Sequence, residues 1–237
     1  MSRVLAVIAI DGPAASGKSS TGALVARRLG WAHLDSGALY RALTLAALDA
    51  EEGRRRTAKD GERWSAQRIV ALAEDLPVRL VLVGDTFRPE VAGVDVEEAI
   101  RTDRVTRHVS AVAAIPEVRT WVNARQRAAV ASHPTGVVVD GRDIGTVVFP
   151  DAPLKVFLTA TPDERARRRL SQRGRAVLAD EVQRESQALA ARDEADASRP
   201  VAPLKPAPDA VLLDSTTLTL EQQVEQVVEL ARRRLPH

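Results

Sequence analysis

The sequence predicts an α/β fold of three layers: a parallel five-stranded core sheet between helices, carrying a small antiparallel insert and a helical lid. Three observations predict it. Short apolar runs recur along the chain without polar alternation, as strands buried on both faces do. Helical periodicities lie between those runs, and strand–helix alternation implies parallel strands joined by right-handed crossovers. One stretch, "LPVRLVLVGDTFRPEVAGVDVEEAI", breaks the alternation with short β-like pieces punctuated by glycine and proline.

In chain order, the first strand is the run Val4 to Ile10. "WAHLD" (Trp31–Asp35) is the weakest strand signal, and "GVVVD" (Gly136–Asp140), "LKVFLT" (Leu154–Thr159) and "AVLLD" (Ala210–Asp214) complete the sheet. Helices are predicted over Lys18–Leu29, Ala38–Ala50, Glu117–Ala131, Pro162–Gln172, Asp180–Ser198 and Leu220–Arg234. In the irregular stretch, Val78, Leu80 and Leu82 alternate along a strand that ends at Gly84–Asp85, which predicts a small meander. The insert is placed at 65–107, the core domain at 1–64 and 108–237, and the lid at about 161–180. "RPVAPLKPAPD" (Arg199–Asp209) reads as an ordered connector into the last strand.

Composition bounds the function. The chain has 237 residues, 45% of them hydrophobic and 28% charged, with a net charge of +2, so there is no broad basic field for nucleic acid. There is no cysteine, hence no disulfide framework or thiolate metal site. His33, His108, His133 and His237 are not at metal-ligand spacing from one another. No apolar run reaches the roughly 20 residues needed to cross a membrane. Arg3 followed by "VLAVIAI" and "AAS" has features of a signal peptide, but Asp11 and Pro13 interrupt the approach to a cleavage site, so a cytoplasmic enzyme is expected.

The strongest local signal is "IAIDGPAASGKSSTG". Gly12, Pro13, Ala14, Ala15, Ser16, Gly17, Lys18 and Ser19 fit G-x-x-x-x-G-K-[ST], with Ser20 following. A polyphosphate needs several backbone N–H groups aimed inward. Glycines let the chain curl that closely, and a helix N-terminus adds its dipole. Lys18 would reach the β- and γ-phosphates of ATP, and the Ser19 hydroxyl would ligate Mg²⁺. The predicted strand before and helix after supply the setting this motif requires. A chance Gly-rich loop is the bland alternative. No guanine-reading "NKxD" element is present, which weakens a GTPase reading.

Further clusters suggest a second substrate. "LDSGALYRA" opens the second helix with Ser36 as a natural N-cap, and Tyr40 and Arg41 lie about one turn in. Arg41 is a phosphate clamp or simply a solvated arginine. "VVVDGRDIGTVVFPDA" ends a buried strand at Asp140, where parallel sheets gather ligands. Asp140 would support Mg²⁺ through water. Arg142 and Asp143 would face substrate, or pair to stabilise the loop. In the penultimate helix, Leu178, Val182 and Leu189 mark an apolar stripe that Arg192, Asp196 and Arg199 continue as charge. That stripe addresses a bound nucleotide or forms an internal ion-pair ladder. "TPDERARRRLSQRGR" carries Arg165, Arg167, Arg168, Arg169, Arg173 and Arg175, which suit a lid closing on the transferring phosphate, a solvated basic helix, or nucleic-acid contact.

Taken together, "IDGPAASGKSS", "LDSGALYR", "DGRDIGTVVFPDA", "RDEADASRPVAPL" and "LLDSTTL" resemble the bacterial cytidylate kinases, in order and over nearly the whole chain. The resemblance implies a nucleoside-monophosphate kinase that phosphorylates CMP and dCMP with ATP and Mg²⁺, acts as a monomer, and binds neither nucleic acid nor membrane. It implies that Ser110, Arg119 and Asp143 read cytosine. Arg41, Arg142 and Arg199 hold the CMP phosphate, Ser36 and Tyr40 line the pocket, and Arg192 and Asp196 contact ribose. Lys18, Arg142, Arg199 and Arg169 are the expected catalytic groups, with Arg165 and Arg168 on ATP and Ser19 and Asp140 on the metal. The meander matches the enlarged monophosphate-binding insert of these enzymes. The rival readings are a kinase of UMP, AMP or shikimate, a nucleic-acid-associated ATPase, and a binding module with an inactive phosphate loop.

Overall fold

The computed structural model describes residues 6–52 and 65–235. Val4 and Leu5, predicted in the first strand, lie outside the described residues, as do Arg3 and His237. The chain divides into two compact units, one drawn from Met1–His33 and Pro134–His237, the other from Leu34–His133.

In the first unit, β1 (Val7–Asp11), β6 (Val137–Gly141), β7 (Leu154–Thr159) and β8 (Val211–Asp214) run parallel in the order β6-β1-β7-β8. β2 (Ala32–Asp35) lies beside β6, and its Ala32 N–H donates to the Gly136 carbonyl. Ile8, Ala9 and Ile10 are fully buried because β1 is flanked on both edges and covered on both faces. α1 (Lys18–Leu29) and α8 (Leu220–Arg234) cover the face that carries Ile8 and Ile10. Val25, Ala26, Val224, Val227 and Val228 pack with Ile8, Ile10, Val156 and Leu158. Gly136 is required by close approach: a Cβ there would sit 2.2 Å from the Trp31 ring.

α6 (Pro162–Gln172) and α7 (Ala179–Ala197) form the predicted helical pair after β7. Ala166 and Leu170 meet Val182 and Leu189, and Ala14 joins the cluster. Leu178 departs from expectation. It precedes the first turn of α7 and is 62% exposed, so the buried seam runs through Val182, Leu189 and Asp196, seven residues apart.

The second unit holds α2 (Gly37–Glu52), α3 (Ala66–Asp75), a meander of β3 (Val78–Val83), β4 (Thr86–Val91) and β5 (Val94–Asp95), then α4 (Asp103–Ala113) and α5 (Pro116–Ser132). β3 and β4 pair antiparallel from Val78↔Val91 to Val83↔Thr86, and Gly84 takes a positive φ of 63° in the predicted turn. Leu39, Leu43, Ile69, Ile100, Val109, Val112, Val118 and Val122 form this unit's core. The sequence reading assigned neither α3 nor α4. Among the described residues, no helix is long and apolar enough to cross a membrane.

Candidate active site

β1 ends at Asp11, and the loop that follows is shaped by its backbone. A Cβ on Gly12 would lie 2.0 Å from the Leu158 carbonyl oxygen, so only glycine fits beside β7. Gly17 precedes α1 at a φ of 96°, a conformation that favours glycine. Ala15 holds a φ of 59° without that freedom, at a cost of about 1–2 kcal/mol. The loop so formed delivers Lys18 and Ser19 to the first turn of α1, with Ser20 exposed beside them.

Lys18 is buried, and its Nζ donates to the Pro13 carbonyl at 2.6 Å and approaches Ser16 Oγ at 3.3 Å. Ser19 Oγ donates to Asp140 Oδ2 at 2.7 Å, and the other carboxylate oxygen of Asp140 lies 2.8 Å from His33 Nε2. Burial pushes the Asp140 carboxyl up, but the His33 hydrogen bond and charge and the Ser19 bond outweigh it and leave it below its ordinary value. A hydroxyl and an ionised carboxylate side by side are hard oxygen donors. That set suits Mg²⁺, which takes one or two protein oxygens and completes its shell with water and phosphate.

Burial draws the Lys18 ammonium down from 10.5 to about 7, aided by the Arg142 charge and opposed by Asp140 and Asp11. Below about pH 7 this lysine is charged in both folded and unfolded states, so the folded protein carries the full cost of burying it. As pH climbs from about 7 towards 10.5, the unfolded state binds more protons than the folded one, and stability rises. At about 1.4 kcal/mol per pH unit, the relief amounts to several kcal/mol. Lys18→Met should therefore withstand more urea than wild type near pH 6, and the gap should shrink as pH rises. Urea titrations across that range measure it, and a gap independent of pH would show that the lysine's charge carries no such cost.

Arginines surround the loop, and most are already engaged. Arg142 Nη1 donates to the Gly12 carbonyl at 3.1 Å, and its Nε donates to Asp196 Oδ2 at 3.0 Å. Arg165 is buried and donates to the Ala14 carbonyl and to Asp193, whose other oxygen accepts the Ala14 N–H at 3.1 Å. Arg168 reaches Ser215 Oγ at 3.0 Å and the Ser215 carbonyl at 2.6 Å. Arg169 pairs with Glu185 at 2.9 Å. Arg199 donates to the carbonyls of Asp196 and Ala202. Arg192 and Asp196 both lie on α7, with Asp196 buried. Within this stripe Asp196 lies 3.8 Å from the Arg199 guanidinium, and from outside the stripe Arg142 pairs with it at 3.0 Å.

In the second unit, the Tyr40 hydroxyl lies 3.5 Å from Asn123 Oδ1, and the Arg119 guanidinium sits 5.5 Å from the Tyr40 ring centroid. Arg119 is buried and donates to the Ala113 carbonyl, while Ser110 is half-buried on α4. Arg41 donates to Thr106 Oγ1 at 3.0 Å and to the Ile100 carbonyl at 3.3 Å. At the head of α2, the Gly37 N–H donates to Asp35 Oδ1 at 2.9 Å. The Ser36 carbonyl accepts from Gln126 Nε2 at 2.9 Å.

Sequence reasoning missed four residues of this surrounding: Asp11, His33, Asp193 and Ser215. Asp11 carried a legible signal, because it ends a buried parallel strand, one position further along the ladder than Asp140 on β6. His33 had none, since its partner lies 107 residues away, and Ser215 lay in "LLDSTTL" with its partners Thr159 and Arg168 56 and 47 residues away.

A strand, a glycine-bent loop and a helix that together present lysine, serine and a buried aspartate are common to many nucleotide-binding proteins. The comparisons narrow that class. The family model described as cytidylate kinase matches residues 8–233. A cytidylate kinase of Azotobacter vinelandii is 47% identical over 232 residues, covering 97% of this chain and 96% of its own length. One from Pseudomonas syringae pv. syringae is 46% identical, covering 96% of each, and one from Klebsiella pneumoniae is 43% identical, covering 99% of each. With its glycine-bent loop, sheet and helical pair inside a match of that extent, the chain belongs to the cytidylate kinase family.

Proposed function

We propose that this protein transfers the γ-phosphoryl group of ATP to CMP, and to dCMP, giving ADP and CDP or dCDP. The observation that carries the reading is the Lys18–Ser19–Asp140 group at the head of α1, in a chain of this family. A CMP phosphate oxygen attacks the γ-phosphorus in line, and the β–γ bridging oxygen leaves on ADP. No covalent enzyme intermediate is needed, so the protein's task is positioning and charge stabilisation. Backbone N–H groups of the loop within Gly12–Ser20, other than Pro13, which has none, and Ala14, whose N–H is held by Asp193, cradle the triphosphate, with Lys18 as the closest cation. Ser19 and Asp140 would hold Mg²⁺, which would supply positive charge against the phosphates.

Arg41, Arg142 and Arg199 hold the CMP phosphate on this reading, Ser36 and Tyr40 line the pocket, and Arg192 and Asp196 take the ribose. Ser110, Arg119 and Asp143 read the base. The lid at about 161–180 brings Arg165, Arg168 and Arg169 to phosphate, and the insert at 65–107 covers the monophosphate. Each of these arginines now pairs with an acid, Arg165 with Asp193, Arg168 with Glu164 and Arg169 with Glu185, so binding phosphate exchanges one anionic partner for another. Closure also excludes water and limits idle ATP hydrolysis. We place the enzyme in the cytoplasm, as a monomer without nucleic-acid or membrane partners.

An ADP-release assay across the nucleoside monophosphates tests the reading. CMP and dCMP are expected to be used well and UMP poorly, with AMP and shikimate not used. Preference for another acceptor, or ATP hydrolysis stimulated by DNA or RNA instead, overturns it.

A further inference from the structure

Arg142 and Asp143 stand where β6 gives way to a single π-helical turn, Ile144–Val148. The first N–H groups of a helical turn have no partner within it. Here the Asp11 carboxylate takes two in succession: Oδ1 accepts the Ile144 N–H at 2.8 Å and Oδ2 the Gly145 N–H at 2.7 Å. The next residue of β1's exit grips the same segment from its other end, since the Gly12 carbonyl accepts Arg142 Nη1. The turn is also backed from below. A Cβ on Gly145 would come within 3.1 Å of the Lys155 side chain, and Lys155 is tied to both oxygens of Asp209.

A carboxylate that uses both oxygens on consecutive amides fixes both the position and the tilt of the chain after Asp143. We infer that Asp11 is a positioning residue for the CMP side of the site, setting the direction in which Asp143 leaves the backbone without touching substrate. The inference rests on the functional reading above, in which Arg142 and Asp143 hold CMP. The competing assignment follows from Asp11 preceding Gly12: it would be part of the ATP loop. The two differ in which substrate suffers. Hydrogen bonds that hold a binding group from behind typically govern affinity for that group's own ligand.

Asp11→Asn is nearly isosteric but keeps one acceptor oxygen and turns an NH₂ towards a backbone N–H, and Asp11→Ala keeps neither acceptor. The expected result is a KM for CMP raised about tenfold in Asp11→Asn and further in Asp11→Ala. The KM for ATP should stay within about twofold, and the preference for CMP over UMP should narrow. Hydrogen exchange should quicken in peptides spanning 141–148 and not in those spanning 17–29. If neither variant accumulates folded, Gly145→Ala disturbs the same turn from the Lys155 side, and the same pattern is expected of it. A wild type that uses CMP, with variants that change only the KM for ATP, or only kcat, overturns this assignment alone. A wild type that ignores CMP overturns the functional reading and the assignment together.

Discussion

Lys18→Ala is expected to lose about a thousandfold or more in kcat while keeping its fold. The loss is large because charge accumulates on the γ-phosphoryl group and on the β–γ bridging oxygen as transfer proceeds. Lys18 is the proposed cation nearest to both. Its ammonium already sits over the loop, held by the Pro13 carbonyl and Ser16 Oγ, so little reorganisation is needed when phosphate arrives. A donor fixed in advance in a water-poor site contributes far more than one that must be gathered from solvent. The fold should survive because Lys18 belongs to none of the three apolar clusters and is buried at a desolvation cost. Circular dichroism and a thermal melt establish folding, and a coupled assay at saturating ATP and CMP measures turnover. A folded Lys18→Ala protein with near-wild-type kcat would remove the loop from the chemistry.

Much of the site's own loop was legible, for a physical reason. A phosphate cradle is built from contiguous residues, so its glycines, lysine and serine must appear at fixed spacing, and Gly12 and Gly17 meet the predicted steric and φ demands. Strands buried on both faces were equally legible, since their apolar runs need no partner to be identified. α4 is hard to read although Val105, Val109 and Val112 keep helical spacing, because it adjoins the meander, whose β-like pattern reaches residue 107. α3 carries a weaker pattern, with Ile69 and Ala73 as its buried pair. What one sequence does not contain is the pairing of distant groups. Asp193 between Ala14 and Arg165, or His33 on Asp140, is settled by how strands and helices stack. The apolar stripe of α7 pointed correctly to Asp196 as an inward-facing charge, but it could not name Arg142 as its partner.

Asp143→Ala is expected to lower kcat/KM for CMP about ten- to a hundredfold and to lower it less for UMP. Cytosine carries an exocyclic amine where uracil carries an oxygen. An ionised carboxylate only accepts hydrogen bonds, so it pairs with the amine and opposes the uracil oxygen. Asp143 is buried at the mouth of the π-helical turn, where a lost charge-assisted bond costs roughly 1.5–3 kcal/mol. A site built around one donor discriminates against a ligand that lacks it far more strongly than an apolar pocket does. Asp143→Asn sharpens the test. An amide both donates and accepts, so this variant should move preference towards UMP without emptying the site. Arg119 supplies the contrast. Its guanidinium is held by the Ala113 carbonyl and faces the Tyr40 ring, and both pyrimidines keep the O2 oxygen it would contact. Arg119→Ala should therefore weaken CMP and UMP by similar factors. The measurement is kcat/KM for both substrates in wild type and all three variants. A CMP-to-UMP ratio unchanged in Asp143→Ala means the carboxylate does not read the amine, and its place beside Arg142 then serves the loop alone.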